Sequence, residues 1–286
     1  MHQRSFTVDG PGTLIGRTIA YTEWGAETNP RVLVCAHGLT RVGRDFDVLA
    51  GALCSDYRVI CPDAAGRGAS GWLPGAADYS YAQYLADTAA LLAEIGATEV
   101  DWLGTSMGGF LGLMLAASKS SPIRRMVMND IGPFLPQASL LRISGYLSKD
   151  QTFADVGELE SYLRKIHAPF GALTDSQWRH MAAHSTRPAG EAAGGGIKLH
   201  YDPAIAEAFS LATGADIDVW GLWDKIRCPV LVVRGQDSDL LPRETARQMT
   251  ERGPKAALVE ISGCGHAPAL MADDQITAVR DWLLDG

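Results

Sequence analysis

Apolar residues recur along the chain in two rhythms. Short unbroken runs rich in β-branched residues and leucine stand at 31–36 (RVLVCA), 57–61 (YRVIC), 99–103 (EVDWL), 125–128 (RMVM), 229–233 (PVLVV) and 257–261 (ALVEI). Such runs read as strands covered on both faces. Between them the spacing lengthens: the stretch 81–95 places Tyr84, Leu85, Thr88, Leu91, Leu92 and Ile95 at steps of three and four. That spacing gives one apolar stripe of a helix that packs on a sheet. Strand, helix and strand in succession need crossover connections, so the pattern predicts an α/β fold with a mostly parallel central sheet flanked by helices.

The rhythm breaks after residue 133. From 134 to 225 the spacing reads as helices only, at 140–147, 156–166, 175–184 and 204–209, the third opened by the capping pair Thr174 and Gln177. A glycine-rich stretch, 190–196, interrupts them. Because strands resume at Pro229, this block is expected to be an insertion into one sheet and not a separate domain after it. The predicted organisation is a sheet domain made of 1–133 and 226–286, with 134–225 as a helical cap that has no sheet of its own.

Length alone leaves one large or two smaller domains open, since 286 residues meet a norm of about 150 per domain. Hydrophobic residues at 47% and charged residues at 20% exclude a disordered or collagen-like chain. The 25 Lys and Arg against 33 Asp and Glu give a net charge of −8. That field repels phosphate backbones and anionic headgroups, so neither nucleic acid nor a membrane surface is an expected partner. No apolar run approaches the roughly 20 residues of a membrane span, and residues 1–16 lack the apolar block of a secretion signal, so the expected location is the cytoplasm. Five scattered cysteines, Cys35, Cys54, Cys61, Cys228 and Cys264, form no CxxC pair and read as small buried hydrophobes.

The chemistry-bearing segment follows the run ending at Leu103. Gly104-Thr105-Ser106-Met107-Gly108 leads into the helical spacing of 110–118, which is G-x-S-x-G between a strand and a helix. Such a turn projects the Ser106 hydroxyl outward and puts the Met107 amide at a helix N-terminus, where it can stabilise an oxyanion. A serine needs a base. His266, in Gly263-Cys264-Gly265-His266 after the last predicted strand, stands in the right order along the chain. His180 and His184, four apart on one predicted helix face, have the spacing of a metal-binding pair. No glutamate follows the first, however, and no third ligand is evident, so no metal site is expected.

These motifs resemble those of the α/β-hydrolases of the esterase type, and the resemblance covers nearly the whole chain. It implies that His37-Gly38-Leu39-Thr40 is the oxyanion loop, with the Leu39 amide as second donor beside Met107. The segment 63–70 (DAAGRGAS) is similar to the D-x-x-G-x-G-x-S turn, which is chiefly structural. The usual acid position after the strand 229–233 holds Ser238, flanked by Asp237 and Asp239. In some members the acid instead follows the strand after the nucleophile helix. The matching residue here is Asp130, in N-D-I-G-P. Asp130 is therefore preferred with Ser238 as its supporting partner, Asp239 is the alternative acid, and Asp237 comes third.

Arg41 and Arg44, just past the loop, suggest two roles: Arg41 as a contact for a substrate carboxylate, and Arg44 as a surface partner of Asp45 or Asp47. Aromatic residues of the cap, Phe134, Tyr146, Phe153, Phe170, Trp178 and Trp220 among them, are candidates for an acyl pocket or simply for core. The resemblance implies a cofactor-free serine hydrolase acting with water on a small-molecule ester, as a carboxylesterase or lactonase. Its rivals are a carbon–carbon bond hydrolase of ring-fission products, disfavoured by the departure of 37–42 (HGLTRV) from H-G-x-G-P-G, and a ligand receptor or acyltransferase on the same fold.

Overall fold

The computed structural model describes residues 1–8, 16–147, 150–190, 194–211 and 213–285. An eight-stranded sheet forms its centre. In chain order the strands are β1 (His2–Val8), β2 (Arg17–Trp24), β3 (Val32–Ala36), β4 (Arg58–Pro62), β5 (Val100–Thr105) and β6 (Ile123–Asn129), followed after the insertion by β11 (Val230–Gly235) and β12 (Ala257–Ile261). Their spatial order is β1-β2-β4-β3-β5-β6-β11-β12. β1 runs antiparallel to β2 and β2 to β4, and from β4 onward every neighbouring pair is parallel.

All six runs read as strands lie in this sheet; β3 and β11 are buried at every position as that reading requires, whereas β12, at the edge of the sheet, departs from it with Ala257 and Glu260 exposed. The apolar pattern does not reveal β1 and β2. In β1 exposed positions dominate, as suits an edge strand. In β2 the carboxylate of Glu23 is buried between Arg4 and Arg58, so a polar letter stands where a core residue would advertise the strand.

Helices cover both faces: α1 (Asp47–Leu53), α2 (Tyr81–Glu94), α3 (Met107–Ala116), α9 (Arg243–Glu251) and α10 (Asp273–Leu284). The predicted stripe of α2 is realised, with Tyr84, Thr88, Leu91 and Leu92 buried. On one side Trp102, Phe110 and Met126 belong to the larger apolar cluster, and on the other Leu49, Leu103 and Leu283 belong to a second. All five cysteines are free thiols. No described helix is long and apolar enough to cross a membrane.

The segment between β6 and β11 is inserted between two strands that are neighbours in the sheet. It holds α4 (Gln137–Leu147), α5 (Val156–Ile166), α6 (Asp175–His184), α7 (Ala204–Leu211) and α8 (Trp220–Trp223). The capping box of Thr174 and Gln177 opens α6. The expectation of helices only is corrected here: β7 (Phe134–Leu135) pairs antiparallel with β10 (Ile217–Asp218), and β8 (Thr186–Pro188) with β9 (Ile197–Leu199). Strands of two and three residues are too short to show a period. Of the glycine-rich stretch, 191–193 lie outside the described residues, and Gly194, Gly195 and Gly196 all have positive φ. Leu159, Leu163, Phe153 and Met181 form a small core between α5 and α6, whereas Leu140, Ile143 and Ile205 join the large cluster above the sheet.

Candidate active site

Ser106 occupies the turn between β5 and α3 with φ 53° and ψ −115°. Side chains rarely adopt this backbone region, and the surroundings must hold it there. They do so by close approach. A Cβ on Gly104 would lie 2.3 Å from the Gly108 backbone, and one on Gly108 would lie 2.1 Å from the Ala36 carbonyl oxygen. The Ser106 amide donates to the Asn129 carbonyl at 3.0 Å. The hydroxyl thus stands at the carboxyl end of the sheet, beside the N-terminus of α3, where amides lack intrahelical acceptors.

His266 lies in the loop between β12 and α10, which three contacts fix. The Gly265 amide donates to Pro169 O at 2.7 Å, Asp237 N to Cys264 O at 2.8 Å, and Asn129 Nδ2 to Pro268 O at 2.8 Å. The imidazole Nε2 is 2.9 Å from Ser106 Oγ, and its Nδ1 is 2.7 Å from Asp130 Oδ2.

Asp130 follows β6 with φ 55° and is fully buried. Its amide donates to Val233 O at 2.7 Å. The carboxylate takes two further hydrogen bonds, from Gly235 N to Oδ1 at 2.8 Å and from Ser238 Oγ to Oδ2 at 2.5 Å, while Ser238 Oγ accepts from Leu241 N at 3.1 Å. A buried carboxylate stripped of such donors would cost several kcal/mol. Ser238 lies in the turn after β11 and gives its hydroxyl to Asp130, which follows the neighbouring strand.

Other sequence candidates lie elsewhere. Asp239 forms a two-pronged pair with Arg142 at the surface, through Arg142 Nε at 2.6 Å and Nη2 at 2.8 Å. It is not brought to His266, because its side chain leaves the turn on the solvent side. Arg41, expected to meet a substrate carboxylate, is buried and lines the cavity, but its Nε and Nη2 are held by Asp45 at 2.7 and 2.8 Å. An internal partner fills the fork before a substrate arrives. Arg44 pairs with Asp47 as expected, but Asp47 is buried, so the pair does not lie on the surface as the sequence pattern predicts. The third group missing beside His180 and His184 is supplied from afar: one ligand atom each of Asp47, His180 and His184 lie within 4.8 Å of one another. Two of these groups already have protein partners, since Arg44 Nε sits 2.7 Å from Asp47 Oδ2 and His180 Nε2 is 3.0 Å from Arg44 O. The cluster joins α6 to the first residue of α1.

Leu39 and Met107 both line the space in front of Ser106. The motif pattern does not single out the residue that organises them. Arg67 is fully buried; its Nε donates to Leu39 O at 2.8 Å, Nη1 to Ala65 O at 2.7 Å and to the Tyr84 hydroxyl at 2.6 Å, and Nη2 reaches Met107 Sδ at 3.5 Å. Its only signal in the sequence is a large cation inside an otherwise small-residue turn. Behind the loop, His37 Nδ1 donates to Gly38 O at 2.7 Å while Nε2 accepts from Ala64 N at 2.9 Å, and burial pushes the imidazole down to about 4. The neutral ring serves as a bracket, not as a base.

A cavity of about 200 Å3 opens beside Ser106 and His266. Its floor includes Leu39 and Phe110, and its roof comes from the insertion through Ile143, Tyr146, Phe170 and Phe209. Of the six cap aromatics named from the sequence, Tyr146 and Phe170 reach it. Phe153 and Trp178 instead form the core of α5 and α6, and Trp220 meets Trp223 and Arg252.

Comparison with known proteins places the fold. Residues 33–279 match the family described as the Alpha/beta hydrolase family. The chain is 46% identical over 263 residues to the 3-hydroxybutyrate-oligomer hydrolase of Cupriavidus necator, covering 90% of each protein. Among solved structures it is similar to a hydrolase from Rickettsia typhi, with a TM-score of 0.93, 33% identity and complete coverage of both chains. It is also similar to an α/β hydrolase from Novosphingobium aromaticivorans, with a TM-score of 0.85, 35% identity and coverage of 99% and 97%. Sequence, sheet order and the turn that carries Ser106 lead to one conclusion: the chain belongs to the α/β-hydrolase family.

Proposed function

We propose that the protein hydrolyses carboxylic esters through an acyl-enzyme on Ser106, with short esters of hydroxy acids as its substrates. The observation that carries this reading is the unbroken chain from Ser106 Oγ through His266 to Asp130, with links of 2.9 and 2.7 Å, at the wall of a mainly apolar cavity. His266 Nε2 takes the hydroxyl proton as Oγ bonds to the carbonyl carbon, and Asp130 holds Nδ1–H so that the ring keeps the right tautomer. The amides of Leu39 and Met107 receive the negative charge that develops on the carbonyl oxygen. Collapse of the intermediate breaks the ester C–O bond, and His266 returns its proton to the departing alcohol. Water then adds to the acyl-enzyme by the same route in reverse, releasing the acid and restoring Ser106. The choice of substrate class draws on the Cupriavidus necator relative, and the segment 134–225 acts in this reading as a cap that shapes the acyl site.

The test is hydrolysis of 4-nitrophenyl butyrate and of a 3-hydroxybutyrate dimer by the wild type and by Ser106→Ala. Turnover of both by the wild type is expected, with kcat lower by several orders of magnitude in the variant, since triad members act as a unit. Esterase activity retained by Ser106→Ala would sink the proposal.

A further inference from the structure

His167 follows α5 and stands on the cap side of the cavity, with Ser106 and His266 among the other residues that line it. It is only 6% exposed. Its ring stacks on Phe170, centroids 4.4 Å apart with planes 21° from parallel, and meets the edge of Tyr146 at 6.4 Å. Its amide donates to Leu163 O at 2.8 Å. The ring nitrogens behave differently. Among the described residues neither has a hydrogen-bond partner, and neither is among the polar atoms sealed from solvent without one.

Burial, followed by the positive charge of Arg41 and the nearby His266, pushes this imidazole well below its usual pKa. It is therefore the neutral ring, with one N–H to give and one lone pair to receive. Open to the cavity and set in a mainly apolar wall, the ring keeps its donor and its acceptor for whatever fills the space beside Ser106. Phe170 and Tyr146 fix the ring plane, so little ordering remains to be done on binding. The Ser106 machinery makes no use of this group.

We propose that His167 recognises an oxygen substituent on the acyl chain, so that the cavity selects hydroxyacyl esters over plain alkanoyl esters of equal length. This rests on the ester-hydrolase reading and gives it a specificity residue. A plain alkanoyl chain fills the same space but leaves the imidazole unpaired, and a site built to hydrogen-bond a substrate oxygen rejects the analogue that lacks it.

The experiment compares kcat/KM for 4-nitrophenyl 3-hydroxybutyrate, both enantiomers, and 4-nitrophenyl butyrate, which share a leaving group. It uses the wild type, His167→Leu and His167→Gln. The wild type should prefer one hydroxylated enantiomer about tenfold, a net hydrogen bond's worth. His167→Leu should bring that ratio to about one, and His167→Gln, which can still donate and accept, should keep part of it. Measurable butyrate hydrolysis in each variant reports that it has folded. A wild type that turns over both esters without preference, or a ratio unchanged in His167→Leu, overturns the role given to His167 and leaves the ester-hydrolase reading standing. A wild type inactive on every ester removes both.

Discussion

Arg67 connects two chain segments that the proposed mechanism needs at fixed positions. Its guanidinium holds the Leu39 carbonyl and reaches the Met107 sulfur, so one buried side chain ties together the two residues whose amides are proposed to receive the oxyanion. Arg67→Met keeps a long apolar stem but loses those donors and leaves the Leu39 carbonyl without its partner. We expect kcat on 4-nitrophenyl butyrate to fall about 10- to 100-fold with KM changed far less, because the loss falls on charge that appears only in the transition state. A rise in KM alone would mean that Arg67 shapes the pocket and not the oxyanion site. At this scale Ser106 and His266 were legible because their motifs are contiguous and glycine-marked. The acid was not. Asp130 and Asp239 both follow strands, and only the direction of each side chain separates them: one inward to Ser238 and His266, one outward to Arg142. His167 was less legible still, since its meaning depends on how the insertion lies over the sheet.

Among the elements, the parallel strands were readable because burial on both faces leaves few polar letters, as in β3 and β11. β2 hides because its Glu23 is matched by Arg4 and Arg58, and pairing of that kind is invisible without the partners in space. The strand pairs β7–β10 and β8–β9 bring residues together that stand far apart in the chain, Leu135 against Ile217 in the first. No local period can announce such contacts. The helices of the insertion also divide in a way spacing alone could not foretell. α5 and α6 share their own apolar cluster, whereas α4 and α7 send Leu140, Ile143 and Ile205 into the main one. The roof over Ser106 is therefore continuous with the core that positions the turn, and the aromatics of the insertion are split between lining and packing.

For the whole molecule, two titratable groups behind the segment 37–40, buried His37 and half-buried Asp63, set opposing dependences on pH. His37, pushed down to about 4 by burial, is neutral when folded, while the unfolded chain binds a proton there below about pH 6.5. That group makes the fold more stable as pH rises from about 4 to 6.5. Asp63 is pushed up to about 6 by burial, against the bonds it accepts from Gly43 N at 2.8 Å and Ala69 N at 2.9 Å. Here the folded state holds the extra proton, so this group makes the fold less stable as pH rises from about 4 to 6. The two slopes offset each other. Asp63→Asn removes only the second, and urea unfolding from pH 4.5 to 6 should show stability climbing with pH more steeply in the variant, by up to about 1.4 kcal/mol per pH unit. The slope is the readout, since the substitution also disturbs the Gly43 and Ala69 bonds at every pH. Parallel profiles would contradict the assignment.

The proposed mechanism needs one carboxylate, Asp130, to orient His266. The direct measurement is kcat on 4-nitrophenyl butyrate for Asp130→Asn beside Asp239→Asn. Losing the orienting charge and tautomer control at Asp130 should lower kcat by roughly 10³- to 10⁴-fold. Asp239→Asn gives up only an exposed pair with Arg142, 2.6 Å at its shorter contact, and should stay within about threefold of the wild type. A large loss from Asp239→Asn with Asp130→Asn near wild type, or equal small losses from both, would contradict it.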